Sequence, residues 1–177
     1  GRGAHLVHYP LRAGRELNLV LIGDAEAESP HFLLDHFNAR IRRLASPARW
    51  TPWPLLQVDP SASWVNNRVV LLGDAAHAML PTAAQGGAQA IEDAFVLARC
   101  LARHLPGHTG DPAPALARWE QARKPRVERI VRQANRNLEI YTMGGIAAAG
   151  RNLAIRMIPG KQHLARFDWL YGWKPGT

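Results

Sequence analysis

The spacing of apolar and polar positions divides the chain into strands first and helices after. Residues 5 to 12, HLVHYPLR, alternate in a strand-like way, and ELNLVLIG follows from Glu16 to Gly23. Two such runs around a short Gly-containing loop predict a β-hairpin. On the first strand His5, Val7, Tyr9 and Leu11 share one face, and Leu6, His8 and Arg12 the other. Pro10 has no N–H to give a ladder, so that strand is expected at an edge or to be irregular there. After the loop AEAESP, Ser29 can cap a helix with Pro30 at its first position. Phe32, Leu33, His36, Phe37, Ile41 and Leu44 then recur at helical spacing up to Pro47. Trp53 to Val58 reads as a short strand. Val69 to Leu72 is an unbroken apolar run, expected to be buried on both faces.

From Ala84 to Leu105 a helix is predicted, with Ile91, Ala94, Phe95, Ala98, Leu101, Ala102 and Leu105 as its apolar stripe. The turn-rich PGHTGDPAP breaks it. Asp111 can cap the next helix, Pro125 is expected to kink or split it, and the helical pattern runs to about Tyr141. GGIAAAG allows a bend, a short apolar helix reaches Pro159, and the aromatic tail RFDWLYGWKPGT is expected to dock on the surface. Strands mainly in the first 72 residues and helices mainly after them indicate an α+β protein.

Composition adds little to this until charge is considered. The 177 residues are 47% hydrophobic and 20% charged, enough for a core. The net charge is +8, almost all of it from arginine. Arg126, Arg129, Arg132 and Arg136 can share one helix face, read here as solvated; no nucleic-acid motif accompanies them, and no nucleic-acid partner is expected. Cys100 is the only cysteine, which excludes an intrachain disulfide and a Cys-based zinc site. It is read as a small core residue and agrees with a cytoplasmic location. No apolar stretch approaches the ~18 residues of a membrane span, and no metal site is expected. His77 lies three residues after Asp74 but lacks a third ligand, so it is read as a structural hydrogen-bonding histidine.

The chemistry concentrates in RVVLLGDAAHAMLPTAAQGGAQAIEDAFVLARCL, residues 68 to 101. Strand, sharp turn, loop and Gly-opened helix is a recurrent seat for an anionic or polar ligand. Gly73 permits a sharp turn and a close approach. Asp74 can accept hydrogen bonds from sugar or polyol hydroxyls. Gly86 and Gly87 leave backbone N–H groups at a helix start uncovered, where the helix dipole favours negative charge. Pro81 stiffens the loop and can wall a flat ring.

GDAAHAMLPTAAQGGAQAIEDAFVLA resembles the second flavin-contacting motif of the FAD-dependent aromatic hydroxylases, in the salicylate and 3-hydroxybenzoate hydroxylase-like branch. HLVHYPLRAGRELNLV resembles that family's substrate-domain hairpin, and WEQARKPRVERIVRQANRNLEIY and FDWLYGW its C-terminal helices and tail. The resemblance implies that Asp74, after Gly73, binds the ribityl chain, and that Pro81 sits over the isoalloxazine. It also implies that Gly86 and Gly87 present the helix N-terminus to the pyrimidine edge, with Gln85 lining the turn. Where some relatives have glycine, this chain has Ala84. The implied reaction is hydroxylation of a small phenolic or benzoate-type substrate with FAD, NAD(P)H and O2. His5 or His8, at most one of them, is a candidate base. A homodimer is a further expectation, and a related oxidoreductase or halogenase, or a non-catalytic module, are the alternatives.

The family's GxGxxG loop has no match here: GRGAHL lacks the third glycine and GGIAAAG has the wrong spacing. The chain is therefore expected to be the C-terminal part of a Rossmann-type FAD monooxygenase. Residues 1–67 are expected to hold a portion of the substrate domain and 68–177 the FAD-binding portion, with the ADP cradle in a missing N-terminal half. The 177-residue chain alone should then bind FAD weakly or not at all. A fluorescence titration returning sub-micromolar affinity for it would contradict that reading.

Overall fold

The computed structural model describes residues 3–23, 29–105 and 110–174. The expected loop at 25–28 and the turn-rich residues 106–109 lie outside the described residues. The fold is helix-rich, with two small antiparallel two-stranded sheets. It resolves into two compact units: Gly1–Pro54 with Leu138–Pro159, and Leu55–Asn137 with Gly160–Thr177.

In the first unit β1 (Ala4–Leu11) and β2 (Glu16–Gly23) form the expected hairpin, with Ala4 opposite Gly23 and Leu11 opposite Glu16. A 3-10 turn, Arg12–Gly14, joins them. Ala4 and Ile22 are buried at one end, whereas Val7, Tyr9, Leu11, Leu17 and Val20 are exposed. Ser29 caps α1 (Pro30–Leu34) by accepting from the Phe32 N–H, as its position predicts. The single helix expected to run on toward Pro47 is instead two. Asn38 Oδ1 accepts from the Ile41 N–H and starts α2 (Ala39–Ala45). Arg42 Nη1 donates to the carbonyls of Asp35 and Phe37 in the break. A side chain able to satisfy backbone donors outcompetes helix continuation at that point. Gly145 (φ 56°) provides the expected bend before α6 (Gly145–Met157).

The second unit carries the larger core. Trp64, Ala76, Trp119, Val127 and Val131 form its centre, with Val65, Val70, Leu72, Met79, Val96, Leu97 and Cys100 packed around them. β3 (Val65–Asn66) and β4 (Val69–Val70) pair across a tight turn. The 69–72 run is not buried on both faces. Val70 and Leu72 meet the core, while Val69 and Leu71 are exposed, which is the alternation of a half-buried strand. Trp53 to Val58 forms no strand. Pro52, Pro54 and Pro60 offer no N–H, and the Val58 N–H donates to the Ala78 carbonyl from an otherwise irregular segment.

After β4 come α3 (Asp74–His77), a 3-10 turn at Pro81–Ala83, α4 (Gly86–His104) and α5 (Ala113–Thr142). Asp111 Oδ1 accepts from the Ala113 N–H at the start of α5, as expected of a cap. Pro125 does not split α5, which continues through it. The carbonyl that loses its partner belongs to Gln121, four residues back on the exposed side, where water can serve it. On the opposite side Trp119, Arg123, Val127 and Ile130 are buried on both sides of the proline and hold the two halves to one core.

The predicted stripe of α4 is also overturned. Ile91 is 74% exposed and Phe95 42%. The face turned inward is Gln89, Glu92 and Asp93, followed by Val96, Leu97 and Cys100. A helix can bury charge in preference to isoleucine only where a partner of opposite charge waits, and α5 supplies one. The chain closes with α7 (Gly160–Ala165) and α8 (Asp168–Tyr171), whose Leu170 is buried. Among the described residues no helix is long and apolar enough to cross a membrane.

Candidate functional site

Gly73 ends the strand segment with φ 55° and ψ −135°, a conformation open to glycine and costly for any other residue. A Cβ there would also stand 3.0 Å from the Ala90 Cβ on α4, so the position has room for hydrogen only. The Gly73 carbonyl accepts from the N–H groups of Ala76 and His77, which closes α3 as a single tight turn. Asp74, the first residue of α3, is exposed. Its Oδ1 lies 3.6 Å from where a Cβ on Gly86 would be. The strand-end turn and the helix opening, twelve residues apart in sequence, are therefore adjacent in space.

The segment between them is pinned. Thr82 Oγ1 donates to the Ala134 carbonyl on α5, and Asn137 Nδ2 donates to the Thr82 carbonyl at 3.0 Å. Pro81 opens the 3-10 turn and is exposed. Ala84 then takes φ 51°, ψ 39°, a left-handed conformation that costs a non-glycine residue about 1–2 kcal/mol. That explains why glycine suits this position, and the turn is made here without it. No side chain caps α4 at Gln85. The Gln85 side chain is turned into the protein, where its Oε1 accepts from Gln89 Nε2 at 3.1 Å. Among the described residues nothing lies within 4 Å of a Cβ built on Gly87. A 19-residue helix thus starts without a side-chain cap, with space at Gly87, beside an exposed carboxylate.

Beneath this opening lies a buried ionic network. Asp93 Oδ2 accepts from the Gly73 N–H at 3.2 Å and pairs with His77 Nε2 at 2.6 Å. Asp93 Oδ1 accepts from Arg123 Nε at 2.8 Å. Arg123 also reaches Glu92 Oε2 through Nη1 (2.8 Å) and Gln89 Oε1 through Nη2 (2.7 Å). Arg126 grips Glu92 with Nε and Nη2 and donates to the carbonyls of Trp169 and Leu170, tying the C-terminal tail to α5. Arg129 lies 3.8 Å from the Trp169 ring centroid. The face expected to be solvated is therefore committed to partners at Arg126 and Arg129. The tail docks as its aromatic composition suggests.

Two carboxylates and two guanidiniums balance within the network, as buried charge requires. Burial works against ionisation of Asp93, but the hydrogen bonds and charges of His77 and Arg123 outweigh it and hold its carboxyl below the usual range. Glu92 is likewise opposed by burial and held low by Arg126 and Arg123. Because the Asp93 carboxylate only accepts, His77 Nε2 must carry the proton it shares. Among the described residues His77 Nδ1 has no hydrogen-bond partner, and the ring packs against Trp64 with centroids 5.1 Å apart. The expectation of a structural, hydrogen-bonding His77 holds.

His5 and His8 belong to the other compact unit. His5 is half-buried and stacked on Tyr141 at 4.5 Å, and burial lowers its pKa. His8 is exposed. Sequence reasoning missed Gln89, Glu92, Asp93, Thr82, Arg123 and Asn137. The signal was present for the first three and Arg123: acids at adjacent positions inside an apolar helix, and arginines three residues apart on the next one, both at core-facing spacing.

The folded-state pKa values of Asp93 and Glu92 lie below their unfolded ones. Their contribution is complete above pH ~4 and is lost as pH falls through the lowered values. Arg123→Met should cost about 3–5 kcal/mol at neutral pH by stranding buried carboxylates, with the cost shrinking in acid. Urea unfolding of both proteins across pH 2–7 measures this. A cost that does not depend on pH would contradict it.

Comparison with known proteins gives a consistent set of likenesses. Residues 41–134 match the family described as an FAD binding domain. The chain is 34% identical to 3-hydroxybenzoate 6-hydroxylase of Klebsiella oxytoca, over 98% of this chain and 46% of that protein. It is 37% identical to 3-hydroxybenzoate 6-hydroxylase 1 of Aquipseudomonas alcaligenes, over 97% of the chain and 46% of the relative. With salicylate hydroxylase of Pseudomonas putida it shares 30% identity over 97% of its length. A crystal structure of a Klebsiella pneumoniae HpxO variant complexed with FAD matches with a TM-score of 0.76 at 25% identity, over 95% of this chain and 46% of that one. The chain spans about half the length of the curated relatives it matches.

Proposed function

The chain belongs to the FAD-binding-domain family, and from that premise we propose that the turn at Gly73–Asp74 and the opening of α4 hold the ribityl chain and the pyrimidine edge of FAD. The observation that carries this reading is the adjacency of the Asp74 carboxylate to Gly86 at an uncapped helix start. Asp74 accepts hydrogen bonds from the ribityl hydroxyls. The first amides of α4, at Gly86 and Gly87, with the helix dipole behind them, stabilise negative charge at the ring's pyrimidine edge. Pro81, on a loop pinned to α5 through Thr82, walls the ring without offering a competing donor. Gln85 supports this turn from within rather than facing the ligand.

The protein containing this segment is, in this reading, an NAD(P)H- and O2-dependent hydroxylase of a small phenolic or benzoate-type substrate, built on a larger Rossmann-type FAD fold. The hydroxylases among its relatives support the class. Residues 1–67 serve the substrate side and 68–177 the flavin side. The flavin supplies the redox and oxygen chemistry; the protein orients it and keeps water out. His5 is the better candidate of the two histidines for taking the phenol proton, because burial favours its neutral, proton-accepting form. A cytoplasmic homodimer completes the proposal.

The protein as its own gene encodes it should consume NAD(P)H with an aromatic acid and release a product carrying one atom of ¹⁸O from labelled O2. Asp74→Ala should raise the FAD dissociation constant at least ~10-fold, the loss of one or two hydrogen bonds to a charged group. NAD(P)H oxidation with no oxygenated product would favour an oxidoreductase or a halogenase. Unchanged FAD affinity in the variant would overturn the site.

A further inference from the structure

Asp93 sits two turns into α4, is fully buried, and does not face the open space beside Gly87. Its carboxylate nevertheless touches the residues on both sides of Asp74. One oxygen, Oδ2, takes the Gly73 N–H before it and His77 Nε2 after it, at 3.2 and 2.6 Å. The other, Oδ1, is fixed by Arg123 Nε at 2.8 Å, and the Asp93 carbonyl accepts from Trp119 Nε1 at 3.0 Å. The carboxylate plane is thus locked from the α5 side. Whatever it holds on the α3 side inherits that rigidity.

Resting on the flavin reading above, we propose that Asp93 is a positioning residue for Asp74: by clamping Gly73 and His77 with one oxygen, it fixes the turn that aims the Asp74 carboxylate at the ribityl hydroxyls. The turn needs such a clamp. Gly73 has no side chain to hold its unusual backbone, and α3 is only four residues long. Its two bonds onto the Gly73 carbonyl close one turn and are too few to make it rigid by themselves. Pre-organising the acceptor before the ligand arrives removes an ordering cost from binding. A residue that never meets FAD would then set its affinity.

The test separates positioning from simple stabilisation. Asp93→Asn replaces one acceptor with a donor that faces the Gly73 N–H, His77 or Arg123. Val131→Ala weakens the same core, which Ala76 of the turn shares, without removing any hydrogen bond to the turn. Each is studied in the protein as its own gene encodes it, well below its own melting temperature. Asp93→Asn should weaken FAD binding by at least ~10-fold, alter the visible absorption band of the bound flavin, and speed hydrogen exchange at the Gly73 and His77 amides in the ligand-free protein. Val131→Ala should leave all three near the parent. If Asp93→Asn does not fold, the pair His77→Leu and His77→Gln takes its place. Gln keeps a donor within reach of Asp93 and should weaken binding and loosen the turn less than Leu. Equal effects of the paired variants, or a Gly73 amide as protected without the clamp as with it, would overturn the proposal. If the parent binds no FAD, the flavin reading fails and the exchange measurement alone decides whether Asp93 holds the turn.

Discussion

A single carboxylate shared between a buried arginine and a glycine turn organises the larger unit of this protein. Asp93 could not remain charged inside the protein without Arg123, and Arg123 could not be buried without Asp93 and Glu92. Each justifies the other's burial. Together they fix the register of α4 against α5, bring the Gly73 turn under α4 through the Gly73 N–H, and, through Glu92 and Arg126, hold the C-terminal tail. Apolar packing of Trp64, Trp119, Val127 and Val131 supplies the bulk of the burial around it. That packing is non-directional; the network supplies the orientation.

The consequence for the site is a rigid frame around an open edge. Gly73 and Ala84 both hold positive φ, one on each side of the loop that carries Pro81. Such conformations persist when their surroundings over-determine them. Here Asp93 fixes the first, and Thr82 and Asn137 fix the segment leading to the second. Among the described residues, what has no side-chain partner at the opening is what a polyol and an electron-rich ring edge would use: a carboxylate and the first amides of a long helix.

Much of this was legible in the sequence because it rests on local chemistry. The hairpin, the Ser29 and Asp111 caps, the Gly73–Asp74 turn and the glycines opening α4 are short-range features with few alternatives. The elements misread share a different cause. The split between α1 and α2 was decided by Asn38 and Arg42 satisfying backbone groups that periodicity ignores. Continuity of α5 through Pro125 was decided by buried side chains on both sides of it. The reversed face of α4 was decided by Arg123, 30 residues from Asp93 in sequence. Apolar counting chose Ile91 and Phe95 because it could not see that partner. Long-range charge pairing is the term a residue-by-residue reading lacks, and it governs the architecture beneath the site.

The most direct measurement is a crystal structure of the protein with FAD bound. The account predicts ribityl hydroxyls within hydrogen-bonding distance of the Asp74 carboxylate and the ring's pyrimidine edge at the amides of Gly86 and Gly87, with Asp93 still bridging Gly73, His77 and Arg123 beneath them. A flavin seated away from that edge, or one that binds only after the Asp93–Gly73 contact has broken, would contradict it.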